Sequence, residues 1–449
     1  MNIDRCINEK GKISTIELID EMVESTQYVS DGIRLFWHDD EQSYWRDITN
    51  NAGVNIKMQL PKQYRAQVSS LMVTRIVENL IDYPDIHVDL NHGVNSECLN
   101  LINGVWNIRK KESCKYDKKF YFKQKFNFSY KEAVNLEKDA PNFMAYVKSS
   151  LGIEEDADKL KLLLQILGYS ISPLVGAKKM FFLIGLPNTG KSLILNLIQF
   201  VVGKENRSIL GLHEFCERFK LIKLSSSIVN LSHEVRNVNI KSLDLIKKIS
   251  ANEPILVESK GADPIEIAPT TKLVFCANSM PMLGEFDNQG IVTRLCVLLF
   301  NNKIEKADLK LLEKMKREVD AIFSKAFDEL HELNSNNLKF VIPKDSEKFL
   351  KQYQREQDSF KQFIEDRCDI SPGGKIHTSD LLKFYQIYCK ENAFKAVSGC
   401  MIKQLIAENY PQITMGRFRF DGTNSKYGFV GLKLKNFKGA DKEELVQEE

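Results

Sequence analysis

The run Gly185-Leu186-Pro187-Asn188-Thr189-Gly190-Lys191-Ser192 carries the densest chemical signal in the chain. Its glycines let backbone N–H groups curl around an anion, and the helix that follows points the positive end of its dipole at the same place. At this spacing a lysine reaches the β- and γ-phosphates of a nucleoside triphosphate, and the hydroxyl after it holds Mg²⁺. Gly185, Pro187, Asn188, Thr189, Gly190, Lys191 and Ser192 are therefore the candidate phosphate contacts, with Ser192 also on the metal. The bland alternative is a glycine turn beside an ordinary lysine, and the flanking elements argue against it.

Those elements are a strand and a helix. Met180 to Ile184 is a continuous apolar run, the pattern of a parallel strand covered on both faces. Leu193, Leu195, Leu197, Ile198 and Val201 continue as a helix, which Gly203 ends. Strand, loop and helix come in the order of a P-loop.

Three more strands are expected downstream, each with a polar residue beside it. Ile228 to Glu234 reads as a buried strand delivering an acid at its carboxyl end, the edge where ligands of open α/β sheets gather. Glu234 is the candidate for polarising an attacking water, directly or through Mg²⁺, against the alternative of a surface glutamate. Lys272 to Ala277 is a third strand with Asn278 at its end, where an amide can sense the γ-phosphate or the water. Arg294 precedes a fourth, Leu295 to Phe300. An arginine at a subunit edge could enter a neighbour's site and stabilise transition-state charge, an effect worth about 10³ to 10⁵ in rate. Between these, Ile240, Leu243, Ile246 and Ile249 mark a helix, and Ile255 to Glu258 with Ile265 to Ile267 form a hairpin whose tip bears Lys260.

Composition sets the frame. With 449 residues, 43% hydrophobic and 27% charged, the chain fits a soluble protein of two or three domains. Nine scattered cysteines without a CxxC pair exclude a structural zinc of that kind and suit a reduced cytoplasm, a bacterial one in the first instance. The amino terminus lacks an apolar signal core, and Pro173, Lys178 and Lys179 break the apolar stretch from Leu160 to Leu186 before it reaches a membrane span. The formal charge of +3 is too small to establish a nucleic-acid partner, so its distribution matters more.

In the amino-terminal region, Leu35 to Trp37 and Tyr44 to Arg46 read as strands, their aromatics better suited to a core than to stacking on bases. Cys98 to Ile108 is a hairpin candidate turning at Asn103-Gly104. The basic, aromatic run Lys110 to Tyr130 suits either a phosphate backbone or a solvated edge. Near the other end, Leu381, Leu382, Tyr385, Tyr388 and Cys389 form one helical face capped by Thr378 or Ser379. Ser398 caps a second helix, and strands at about 413–420 and 427–434 join through Asp421-Gly422. Two helices and a hairpin suggest a winged helix. From Ser371 to Lys438, 11 Lys/Arg stand against 4 Asp/Glu, a local surplus of +7 that suits phosphates. Lys395, Lys403, Arg417, Arg419 and Lys426 are the candidate DNA contacts. The last residues, 439–449, carry five acids and one lysine and read as a disordered tail.

Taken together, Gly185 to Ser192, Glu234, the lysine-tipped hairpin, Asn278 and Arg294 resemble superfamily 3 helicases, and more narrowly the helicase half of phage, plasmid and poxvirus-type primase–helicases. The runs Glu258 to Pro264, Thr271 to Pro281 and Thr293-Arg294-Leu295 carry the likeness, with Leu99 to Trp106 and Leu167-Gly168-Tyr169 upstream. The resemblance implies an AAA+-like P-loop ATPase core of α/β class, using ATP and Mg²⁺ and assembling as a homohexameric ring on single-stranded and forked or origin DNA. Lys191 and Ser192 would hold phosphate and Mg²⁺, Glu234 would be the Walker B acid, Asn278 sensor 1, and Arg294 the finger acting in trans. Lys260 would grip one strand in the channel, and Lys272 would help line the nucleotide site. The implied division is an α+β amino-terminal domain over 1–140, the ATPase domain over 141–338, a winged helix over 339–438 and the acidic tail over 439–449. One departure is His233, where the group often has a second acid. The histidine and aspartate pair of a primase is not evident in the first 145 residues, so helicase activity without priming is expected, in a phage, plasmid or other mobile element and with host or element replication proteins as partners. The rivals are a DNA-binding initiator or scaffold that uses nucleotide only as an assembly switch, and a small-molecule kinase, which has no use for Asn278, Arg294 or a basic carboxyl-terminal unit.

Overall fold

A computed structural model describes residues 2–88, 97–154, 156–233, 243–259, 261, 263–281, 289–304, 308–392, 394, 396–419 and 425–435. It is a mixed α/β protein with a parallel sheet at its centre and many helices.

The chain begins with a small antiparallel sheet of β1 (Tyr28–Ser30), β2 (Leu35–Asp39) and β3 (Tyr44–Asp47), packed against helices Thr15–Glu24, Ala52–Gln59 and Ser70–Ile81. A second antiparallel sheet follows, with β4 (Cys98–Leu101), β5 (Gly104–Asn107) and β6 (Glu112–Cys114). The two sheets are clasped together. Trp45 donates its backbone N–H to Phe122 O and its indole N–H to Lys118 O, and buried His38 bridges Asp40 at 2.8 Å and the Tyr116 hydroxyl at 2.6 Å. Phe122, Phe126, Phe128 and Tyr130 are buried, so these rings of the basic, aromatic run are core, while Lys110, Lys115 and Lys119 are exposed. Leu99, Leu101, Phe126, Phe128 and Tyr130 share one apolar cluster with the central sheet and with helices Pro141–Leu151, Asp158–Ser170 and Val319–Ser335.

The central sheet has five parallel strands: β7 (Met180–Ile184), β8 (Arg207–Ser208), β9 (Val229–Ser232), β12 (Lys272–Ala277) and β13 (Leu295–Leu299). Their order is β13-β7-β12-β9-β8. Every residue of β7, β9, β12 and β13 is buried, as expected of strands covered on both faces. Chain connections leave β7 toward β8 on one side and return to β13 on the other, so the carboxyl end of β7 lies at the switch point where such sheets form a crevice. Between β9 and β12 the antiparallel pair β10 (Ile255–Val257) and β11 (Ile265–Ile267) forms its own hairpin, not hydrogen-bonded to the sheet but packed in the same apolar cluster as β7 and β12.

Pro343 opens the helix Lys344–Arg367, which joins two cores. Phe349, Leu350 and Tyr353 pack on one face of the central sheet, and Phe360, Phe363 and Ile364 enter the carboxyl-terminal core. That core lies under a sheet of order β14-β16-β15, with β14 (Cys368–His377), β15 (Thr414–Phe418) and β16 (Lys426–Leu434), and helices Thr378–Glu391 and Gly399–Asn409. Sequence reading found the two helices and the hairpin but not β14. The expected cap at Thr378 or Ser379 falls instead on His377, whereas Ser398 does accept the backbone N–H of Met401 at 3.3 Å. No described helix is long and apolar enough to cross a membrane.

Candidate phosphate site and its surroundings

The glycine-rich loop leaves β7 at the switch point. Gly185 lies so close to the next strand that a Cβ there would come within 2.3 Å of Phe300 O, which makes a side chain at this position impossible without moving backbone. Asn188 and Gly190 take left-handed backbone angles, φ 63° and 87°, and turn the loop back on itself. Three bonds fix the turn. The Tyr146 hydroxyl donates to Gly190 O at 2.9 Å, Thr189 Oγ1 donates to Leu186 O at 2.9 Å, and the Ile304 N–H donates to Asn188 O at 3.0 Å.

Lys191 begins the helix Lys191–Val202 and folds back over this loop. Its ammonium donates to Gly185 O at 2.5 Å, Leu186 O at 2.7 Å and Thr189 Oγ1 at 3.2 Å. Burial pulls its pKa below the ordinary lysine value, and no described carboxylate offsets that. A partly desolvated cation held only by neutral oxygens, at a helix N-terminus, is set up to take an anion. Leu186, Pro187, Asn188 and Ser192 are exposed around it, so an anion can approach from solvent. These residues fit a bound phosphate, and the Ser192 hydroxyl is free of the core to meet a cation beside it.

Asn278 joins this loop. It follows the last residue of β12, and Ala277, paired with Ile184, accepts the Gly185 N–H at 3.3 Å. His233 follows β9 at the same edge of the sheet. Desolvation first, and the Arg207 guanidinium second, hold the imidazole below its ordinary pKa, so it is neutral at pH 7. Glu234 lies outside the described residues.

Two expected residues sit at the opposite edge. Lys272 opens β12, abreast of Val229 and one residue before the Leu273–Met180 pair, so it is at the amino ends of the strands. It is buried, donates to Thr270 O at 2.8 Å and stands over the Tyr169 ring at 5.3 Å. It does not line the phosphate loop of its own chain, because that loop lies where the strands end. Arg294 precedes β13 at the amino edge too. Its backbone O accepts the Met180 N–H at 2.8 Å, its Nη1 donates to Gly290 O, and its Nε is buried without a partner among the described residues. With strands rising about 3.3 Å per residue, the length of β7 separates Arg294 from the loop that follows that strand.

The hairpin β10–β11 carries a feature that sequence reading missed. Leu256 is 68% exposed although Ile255 and Val257 are buried, and beside it Phe219 is 40% exposed with the Arg218 guanidinium over its ring at 5.2 Å. Arg218 pairs with Glu258 at 2.5 Å, which ties the 217–220 segment to the hairpin. The signal was an aromatic next to an arginine in a polar stretch, too common to single out. Lys260 is outside the described residues, as is Lys395. Lys403, Arg417, Arg419 and Lys426 are all exposed, Lys403 on the helix Gly399–Asn409 and the others on or beside β15 and β16. Tyr146 carries no sequence signal for its support of the loop, since nothing in its neighbours marks it.

Comparison with known proteins adds the following. Residues 183–294 match a family of unknown function, DUF5906. No curated protein matches. Among solved structures, the A form apo structure of the NrS-1 C-terminal region aligns with a TM-score of 0.45 at 12% identity, covering 92% of this chain and 98% of that one. A second apo structure of the same region aligns with a TM-score of 0.44 at 13% identity, over 92% of this chain and 98% of that one.

Proposed function

We propose that this chain is an ATP-driven DNA helicase of AAA+-like P-loop build that opens an origin or fork for a phage, plasmid or similar element, working as a hexameric ring. The observation that carries the reading is the Lys191 ammonium, desolvated and without a described counter-ion over a loop whose shape the fold fixes. In this reading the loop N–H groups and Lys191 bind the β- and γ-phosphates of ATP, Ser192 and Glu234 hold Mg²⁺, and Asn278 orients the attacking water. The metal would supply charge neutralisation on the phosphate oxygens. Neutral His233 can accept or donate a hydrogen bond to that water but adds no second negative charge.

The place of Arg294 favours a shared site. It stands at the amino edge of the sheet and the loop at the carboxyl edge, so one copy's arginine can serve only another copy's phosphates. Such a head-to-tail contact closes into a ring when its rotation divides the circle. Lys260 and the exposed Leu256 and Phe219 would meet one DNA strand inside the ring, and the β14–β16 unit, acting as a winged helix, would dock forked or origin DNA through Lys395, Lys403, Arg417, Arg419 and Lys426.

Strand displacement on a tailed duplex tests this against the rival initiator that uses ATP only as an assembly switch. The helicase displaces the strand with ATP, and Lys191→Ala abolishes hydrolysis and displacement together. Binding without displacement by the unaltered protein supports the switch instead.

A further inference from the structure

The face of β15 and β16 that covers the carboxyl-terminal core does not stop where the helices stop. Phe429 is fully buried against them, with Met415 its cross-strand partner. Two residues outward on the same face the next pair is Tyr427 and Arg417. Here the covering ends: Met415 is 50% exposed and Tyr427 63% exposed. The Arg417 guanidinium stands over the Tyr427 ring at 5.7 Å. Arg419 and Lys426 flank the pair, also exposed, and no acid occurs from Thr414 to Arg419 or from Ser425 to Leu434.

A phosphate backbone alone would explain the arginines and lysines but not an exposed ring and thioether between them. Leaving a tyrosine and a methionine in water forgoes burial that the adjacent core offers. An aromatic plane backed by a guanidinium, inside a basic surround, is what an unstacked base takes: the base covers the free face of the ring while the cations hold the flanking phosphates. Bases inside a duplex are already stacked and show only their edges, so the occupant is single-stranded.

We infer that the outer end of the β15–β16 hairpin is a stacking site for an unpaired base of single-stranded DNA beside a duplex, formed by Tyr427, Arg417 and Met415. This rests on the proposed action on DNA and narrows it: the hairpin distinguishes a junction from a continuous duplex. Tyr427 is the stacking surface, Arg417 supports it from the neighbouring strand, and Arg419, two residues beyond Arg417, binds a flanking phosphate.

The test uses the full chain and a forked DNA with 2-aminopurine at the first unpaired position, with a blunt duplex of the same sequence for comparison. The unaltered protein quenches the probe on binding the fork, and Tyr427→Phe still does, because stacking needs the ring and not the hydroxyl. Tyr427→Ala loses the quenching and about ten-fold in fork affinity, while its affinity for blunt duplex and its DNA-free ATP hydrolysis stay unchanged. Quenching that survives in Tyr427→Ala, or equal losses on fork and duplex, overturns the inference. An unaltered protein that binds the fork and hydrolyses ATP without quenching overturns it and leaves the helicase reading standing. Failure to bind any DNA removes both.

Discussion

The Tyr146 hydroxyl donates to the Gly190 carbonyl at 2.9 Å, and the same ring leaves no space for a Cβ at Gly190, whose added atom would lie 2.6 Å from Cε2. A helix from before the central sheet thus sets the shape of the loop after its first strand. Tyr146→Phe keeps the packing and removes one bond to a carbonyl, so it costs about 1 kcal/mol and weakens ATP binding several-fold. Gly190→Ala meets both the ring and a left-handed backbone, and is expected to abolish nucleotide binding at little further loss of secondary structure. Nucleotide titration with circular dichroism checks both, and unaltered affinity in Gly190→Ala would show that the loop's form is not what binds.

Arg294 and Lys191 lie at opposite edges of the sheet, so their variants should complement. Arg294→Ala and Lys191→Ala are each expected to be inactive alone. Mixed, they should form, under the proposed shared site, interfaces that pair an intact loop with an intact arginine, and ATP hydrolysis is expected to return in part. No recovery on mixing, with assembly confirmed by mass, would remove Arg294 from the neighbour's site.

Lys272 makes stability depend on pH. Burial lowers its pKa from 10.5 to about 7. Between those values the unfolded chain holds a proton that the folded chain does not, so stability falls as pH drops through this window and levels off below it. Each unit of displacement corresponds to about 1.4 kcal/mol. Lys272→Met, which keeps an apolar contact with Tyr169, is expected to raise Tm by several degrees at pH 7, with the gain shrinking toward pH 10. A lower Tm at pH 7 would mean that the Thr270 and Tyr169 contacts outweigh the desolvation.

His38 acts in the opposite part of the scale. Burial is the main cause holding its pKa below 6.5, against the Asp40 carboxylate, which favours the charged form. A neutral ring satisfies both neighbours, with one nitrogen donating to Asp40 and the other accepting from Tyr116. A folded pKa below the unfolded one gives stability that is present above about 6.5 and lost as pH falls through the folded value. Acidification from pH 7 to 5 should therefore loosen the clasp between the first two sheets, read as faster proteolysis near residues 116–122. His38→Gln, which cannot charge, should lose this pH dependence.

Much of the central sheet could be read from sequence because its strands are continuous apolar runs. Met180–Ile184 and Lys272–Ala277 matched to the residue, and Gly203 does end its helix, though at φ 84° and ψ 153° it is extended with positive φ and not a left-handed cap. β14 escaped because Pro372-Gly373-Gly374 looks like a turn; the strand passes through it with a shift of register between Ile370 and Lys375. The helix Lys344–Arg367 was hidden by its polar composition, only a narrow stripe of it meeting the two cores. Lys272 falls at the edge away from its own chain's loop for another reason: a strand's first residue and its last belong to opposite edges, and sequence spacing does not say which edge a ligand meets. The aromatics at Phe122, Phe126, Phe128 and Tyr130 do alternate, but the segment forms only an isolated bridge, Leu101 with Phe126, and what buries its rings is partners far along the chain, such as Phe323 and Phe327.

The buried hydrogen bond from the Tyr353 hydroxyl to Pro281 O, 2.7 Å long, fastens the segment just after Asn278 to the helix Lys344–Arg367. That helix is about 36 Å long at 1.5 Å per residue, and its far end is built into the core beneath β14, β15 and β16. One helix therefore carries at one end a hydrogen bond to the turn that follows Asn278 and at the other the core under the basic hairpin, so the two are joined by a single rigid rod.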